Sequence, residues 1–186
     1  MKKLCLLIAL GIFVTGCATP KGVTTSDRRD YVLKMKNKTL TSLYKAKPET
    51  KDMIQKGAGY GVFSNIGSYF VFVSTGGGYG IVTDNETGNR TYMKMAQVGA
   101  GLGVGVKDFR LVFIFRNKYT MHKFVEKGWE FGGQVDAAIK SGEKGGAVGG
   151  EMYIDQDIII YQLTEAGVAL QATVAGTKYW RDKELN

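Results

Sequence analysis

Asp155 and Asp157 stand two residues apart and would project from one face of a strand, where a carboxylate pair can move protons or hold a cation. The same spacing also suits a solvated strand end. A hydrolase acting on envelope lipid or glycan would have to draw on Glu151, Asp155 or Asp157, placed in a cleft. His122 is the single histidine, and it falls in a predicted helix with no nucleophile at a recognisable spacing. The sequence contains no Gly-x-Ser-x-Gly elbow and no Walker A loop, and in the glycine run from Gly99 the residues Val104 and Val106 stand where a dinucleotide-binding fingerprint would need its third glycine. Cys5 and Cys17 are the only cysteines, so the rest of the chain has no disulfide, no thiolate nucleophile and no cysteine metal ligand. The chain is read as non-enzymatic, with neither metal nor cofactor.

The chemistry that the sequence does carry is at Cys17. Residues 1–16 have a basic start (Lys2, Lys3), an apolar run from Leu4 to Val14, and small residues up to Gly16, the layout of a secretory leader. An apolar run of this length is too short for a membrane span, which needs about 20 residues. Val14-Thr15-Gly16-Cys17 resembles the bacterial lipobox, in which the cysteine thiol is lipidated and becomes the mature N-terminus. Two or three acyl chains would then hold the protein at a membrane almost permanently, since each buried methylene adds ~0.8 kcal/mol. Ala18, rather than Asp, after the cysteine resembles the sorting pattern of Gram-negative lipoproteins destined for the periplasmic face of the outer membrane. The expected layout is a leader over 1–16, a lipidated tether over 17–25, a basic helical segment over 26–56 and a β-rich domain over 57–186.

The length of 186 residues and the balance of 44% hydrophobic to 23% charged residues suit one globular domain. The net charge of +8 is unevenly placed: residues 21–56 hold ten basic and four acidic residues, whereas residues 57–186 hold 13 of each. Secretion argues against nucleic acid as the partner of this excess. What remains is an anionic membrane surface, where each Lys or Arg adds about 1 kcal/mol, or a solvated helical face. Arg28, Arg29, Lys34, Lys36 and Lys38 are the candidate headgroup-binding residues.

The elements that must carry these side chains follow from hydrophobic spacing. Ser26 is the expected N-cap of a helix with Val32, Met35, Leu43 and Tyr44 at helical spacing, imperfect around Asn37 to Thr39, and Pro48 opens a short second helix through Met53 and Ile54 that Gly57 ends. Beyond Gly57 the pattern changes: 23 of the 26 glycines fall between residues 57 and 176, with about eight strand-like runs and no proline. Tyr69–Val73, Leu111–Phe115 and Ile158–Tyr161 suggest strands buried on both faces, and Asp84–Asn89 and Ser141–Gly146 suggest turns. Asn117–Lys127 is an inserted helix with Met121, Phe124 and Val125 on one face, stopped by Gly128.

From Val98 to Val106, Gly99, Gly101, Gly103 and Gly105 alternate with apolar residues. The strand this predicts has one face of bare backbone, suited to tight packing, close approach of a ligand, or sharp curvature. The expected fold is therefore α+β and mostly β: a curved antiparallel sheet or barrel-like glycine-rich body with basic N-terminal helices and one inserted helix.

From Gly57 onward the order of motifs resembles the SYLF domain family of lipid-binding modules. The resemblance covers about 130 residues and rests on Gly57-Ala58-Gly59-Tyr60-Gly61-Val62-Phe63, Gly76-Gly77-Gly78-Tyr79-Gly80, the alternating-glycine strand before Leu111–Phe115, Tyr161 to Gly167, Gly176-Thr177-Lys178-Tyr179-Trp180 and Leu185-Asn186. Where the family often has Phe-Pro, this chain has Phe63-Ser64. The resemblance implies phospholipid binding, aided by a basic amphipathic N-terminal helix that Arg28, Arg29, Lys34, Lys36 and Lys38 match in character. In a bacterial envelope the anionic lipid would be phosphatidylglycerol or cardiolipin. The expected protein is thus a lipid-anchored envelope protein that binds anionic phospholipid, the alternative being a structural or assembly factor that docks an envelope protein.

Overall fold

The computed structural model describes residues 19–131, 147–148, 151–155, 157–164, 167–168 and 176–186. The leader, Cys17 and the Ser141–Gly146 turn lie outside the described residues.

Helix α1 spans Thr25–Ala46, and its N-cap lies two residues earlier than the sequence pattern suggests. Thr24, not Ser26, is the N-cap: its Oγ1 accepts from the Asp27 amide at 3.1 Å while Asp27 Oδ2 accepts from the Thr24 amide at 2.9 Å. An acid three residues on makes Thr24 the position where both end donors are satisfied at once, a reciprocity Ser26 lacks. The irregular stretch at Asn37–Thr39 stays helical, because Thr39 turns inward and donates to Met35 Sδ, and Thr41 donates back to the Asn37 carbonyl. Helix α2 (Thr50–Lys56) ends at Gly57 as expected, but Pro48 stands just before its N-cap Glu49 rather than in its first turn.

Strands β1 (Gly59–Asp84) and β2 (Arg90–Phe115) are 26 residues each and pair in a single antiparallel ladder from Gly59↔Phe115 to Thr83↔Arg90. Drawn straight, such a strand would reach about 85 Å. Instead the hairpin doubles over. Ser64 and Gly78 of the same strand lie back to back, a Cβ on Gly80 would stand 2.6 Å from the Val62 carbonyl oxygen, and the Asn85 amide donates to the Ala58 carbonyl at 3.0 Å. The fold-over falls in the segment where β1 shifts register between Val71 and Val73 and β2 carries Gly99 to Gly105. Curvature is thus what the alternating glycines accompany.

Doubling gives two arms. On one, β8 (Gly176–Arg181) pairs with β2 from Met93↔Arg181 to Val98↔Gly176, and β3 (Trp129–Phe131) pairs outside it. On the other, β6 (Ile158–Thr164) pairs with β2 from Arg110↔Leu163 to Phe115↔Ile158, followed by β5 (Glu151–Asp155) and β4 (Ala147–Val148), while β7 (Gly167–Val168) pairs with the end of β6. No pairing among the described residues joins β3 to β4. The sheet is antiparallel, curved and open, and the fold is α+β with strand predominating.

Strand alternation sorts the core into two layers. Val62, Ile81, Tyr92, Val112, Ile114 and Ile159 face outward and are covered by Val32, Met35, Leu40 and Leu43 of α1 and Ile54 of α2. Phe63, Val82, Met93, Met95, Phe113, Phe115, Ile158 and Ile160 face between the arms. Helix α3 (Lys118–Lys127) closes that inner layer with Met121 and Phe124, capped by Asn117, whose Oδ1 accepts from the Thr120 amide at 2.8 Å. Phe63, Phe113, Phe124 and Tyr179 form its centre, Phe63 meeting Tyr179 edge-on at 4.9 Å. The two-sided burial expected of Leu111–Phe115 and Ile158–Tyr161 is observed, with Leu111 half-buried, while the side chains of Tyr69–Val73 lie outside those described.

Candidate functional site

The five cations singled out in sequence all lie on α1, but on two different faces. Arg28 forms an ion pair with Glu184 at 3.0 Å, and Arg29 Nε donates to the Leu185 carbonyl at 2.8 Å with its guanidinium 5.7 Å from the centre of the Tyr92 ring. Lys36 is 8% exposed, and its ammonium lies 5.9 Å from the centre of the Tyr60 ring. These three hold the helix on the body.

The C-terminal residues complete that clasp. Leu185 is buried, Asn186 Oδ1 accepts from the Tyr92 amide at 3.0 Å, and Asn186 Nδ2 donates to the Tyr92 carbonyl at 2.8 Å. Lys94 reaches the buried Asp182 carboxylate at 3.5 Å and Glu184 at 3.9 Å. The tail is therefore wedged between α1 and β2.

Lys34 and Lys38 point the other way. Both are exposed and neither forms an ion pair with a described residue. With 100° of turn per residue, Lys45 falls on the same face, eleven positions from Lys34 and about 16 Å along the axis. Lys45 does not stand out in the sequence, where Lys34, Lys36 and Lys38 form the visible cluster. Helical spacing was the available signal, since it separates Lys36 from its neighbours and joins Lys45 to them. The apolar stripe of α1 is buried beneath it, so this helix offers a surface only its charged side.

The remaining candidates are dispersed. Asp157 is half-buried in the turn before β6 and accepts weakly from Thr120 Oγ1 at 3.4 Å, while Glu151 and Asp155 belong to the β5 ladder. His122 is exposed on α3. Among the described residues no group of His, Cys, Asp and Glu is arranged to hold a metal ion. Burial raises the Tyr79 hydroxyl to about 12 and the Tyr179 hydroxyl still further, and both belong to the core. A shallow cleft of about 450 Å³ opens where α2, the β1–β2 turn and the start of α3 meet, lined by residues that include Lys56, Glu86, Arg116 and Lys118. Among the described residues no helix is long and apolar enough to cross a membrane.

No protein-family model matches the chain. The chain is 33% identical over 164 residues to a protein named Beta cell expansion factor A from Aeromonas veronii, an alignment that takes in 87% of this chain and 60% of that protein. The chain thus spans about three fifths of the length of the relative it matches.

Proposed function

We propose that this protein is a non-enzymatic lipoprotein of a bacterial envelope, anchored at Cys17 on the periplasmic face of the outer membrane, whose SYLF-like body binds anionic phospholipid. The observation that supports it is the outward face of α1, where Lys34, Lys38 and Lys45 stand exposed and without ion pairs to described residues. Because the apolar stripe of α1 is occupied by the body, contact would be made at the level of headgroups, by charge, rather than by insertion of the helix. Arg28, Arg29 and Lys36 contribute indirectly, by fixing the rotation of the helix so that the three lysines face out together.

Three lysines at about 1 kcal/mol each amount to roughly a hundredfold in affinity for an anionic surface. The test is co-sedimentation of a chain starting at Lys21, which lacks the lipid, with neutral vesicles and with vesicles containing phosphatidylglycerol or cardiolipin, at low and high salt. Binding that needs the anionic lipid and falls steeply with salt is expected. Failure to bind any vesicle would remove lipid recognition and leave a protein partner of the envelope as the ligand of the body.

A further inference from the structure

The fold leaves one aromatic ring of the described side chains in solvent: Tyr119, 76% exposed in the first turn of α3. The inner side of that helix is used, since Thr120, Met121 and Phe124 are buried. Tyr119 and Lys123, one turn apart, project from the outer side, and both are exposed. Directly before Tyr119, Lys118 lines the cleft of about 450 Å³ together with Lys56, Gly57, Ala58, Glu86 and Arg116.

Lys118 and Lys56 each already touch a carboxylate. Lys118 pairs with Glu86, and Lys56 with Asp52 at 2.7 Å, but every member of both pairs is more than half exposed. Exposed pairs of this kind hold their partners weakly, and a phosphate oxygen can take the place of a carboxylate oxygen. The start of α3 is already capped by Asn117, so recognition here would rest on side chains rather than on the helix end.

An amphipathic ring flanked by lysines is the arrangement that seats at the boundary between headgroups and acyl chains. We infer that this end of the body is a second membrane contact, in which Tyr119 enters the headgroup layer of an anionic bilayer while Lys118 and Lys123, with Lys56 behind them, take headgroup phosphates. The inference rests on the phospholipid reading above but uses none of the α1 lysines. It assigns the domain two contacts, one purely electrostatic and one carrying an aromatic anchor.

The experiment compares the full chain with its Tyr119→Ser, Lys123→Gln and Tyr119→Trp variants, each measured as binding to phosphatidylglycerol vesicles relative to phosphatidylcholine vesicles, so that any contribution of the leader or lipid cancels. Tyr119→Ser and Lys123→Gln should each weaken the anionic preference by roughly threefold to fivefold at unchanged thermal stability. Tyr119→Trp should keep it, and its emission, after subtraction of the wild-type signal from Trp129 and Trp180, should shift to the blue on anionic vesicles. If the wild type prefers anionic vesicles and these variants neither weaken the preference nor shift the emission, the inference is overturned while the α1 reading stands. A wild type with no anionic preference overturns both. Displacement of the Tyr119-dependent part by millimolar glycerol phosphate would make the cleft a small-anion site and overturn the bilayer assignment.

Discussion

Asn65 and Gln97 lie on opposite arms of the doubled hairpin, 32 residues apart in the chain, and their side chains meet in the buried interior, Asn65 Nδ2 donating to Gln97 Oε1 at 2.5 Å. They form a polar tie across the fold-over, next to the aromatic centre. Asn65 Oδ1 has no partner among the described residues, which satisfy the tie only by half.

Removing one member should therefore cost more than removing both. Asn65→Ala is expected to destabilise by about 1–3 kcal/mol, since it strands the Gln97 carbonyl, whereas Asn65→Leu with Gln97→Met should recover much of that loss. Urea unfolding of the two singles and the double reads the coupling. An additive double would mean that the two side chains do not act as a pair.

The cations of α1 should divide by face. Replacing Lys34, Lys38 and Lys45 together with Gln should abolish most anionic-vesicle binding, about a hundredfold, and leave the unfolding midpoint in place. Arg29→Gln should do the reverse at the level of stability, costing about 2 kcal/mol through the lost bond to Leu185 and the lost contact with Tyr92. Circular dichroism melts beside vesicle sedimentation separate the two, and a triple variant that melts early would refute the assignment of faces.

Gly78 should tolerate no side chain. A Cβ there would collide with the Ser64 carbonyl and crowd Met95 Cγ at 2.9 Å, and the backbone atom cannot move without opening the fold-over. Gly78→Ala is expected to cost about 2 kcal/mol or more by overpacking, against a change within about 0.5 kcal/mol for Thr75→Ala on the exposed surface of the same strand. Equal stabilities for the two would show that the arms are not in contact there.

Acid and alkali should act at different places. The backbone amide and hydroxyl of Thr24 hold the Asp27 carboxyl below its usual 3.8, so its contribution is present above pH 3.8 and disappears as the pH falls through the lowered folded value. Asp27→Asn should accordingly flatten the acid limb of the stability curve. At the other limb, burial holds the Tyr79 hydroxyl at about 12 rather than 10, so its contribution is present below pH 10 and disappears as the pH rises through 12. Tyr79→Phe should remove part of the alkaline loss, measured by urea unfolding at pH 9 and pH 11.

Much of this fold can be read from local pattern. The runs at Leu111–Phe115 and Ile158–Tyr161 announce two-sided burial because every residue in them is apolar or aromatic, and Asn117 with Gly128 brackets α3 by capping chemistry alone. The single hairpin of two 26-residue strands is not legible in the same way: glycine clusters at 76–80 and 99–105 look like breaks between short strands, and it takes contacts such as that of Ser64 with Gly78 to reveal that one strand continues through a fold. The clasp escapes sequence reading for a different reason. Arg28 meets Glu184 across 156 positions, and no local spacing encodes such a pairing. The charged face of α1 is half legible, since the number of lysines is plain in the sequence but the face each one takes depends on its rotation about the helix axis.

The clasp also has a mechanical meaning. A pull entering the chain upstream of Thr24 reaches the first turn of α1, where Arg28 and Arg29 hand it to Glu184 and Leu185 before it can act on β1. The load is carried by a few bonds between one turn of helix and the chain's final residues, so under tension the first part to give way is the clasp, and the long ladder of β1 and β2 is spared.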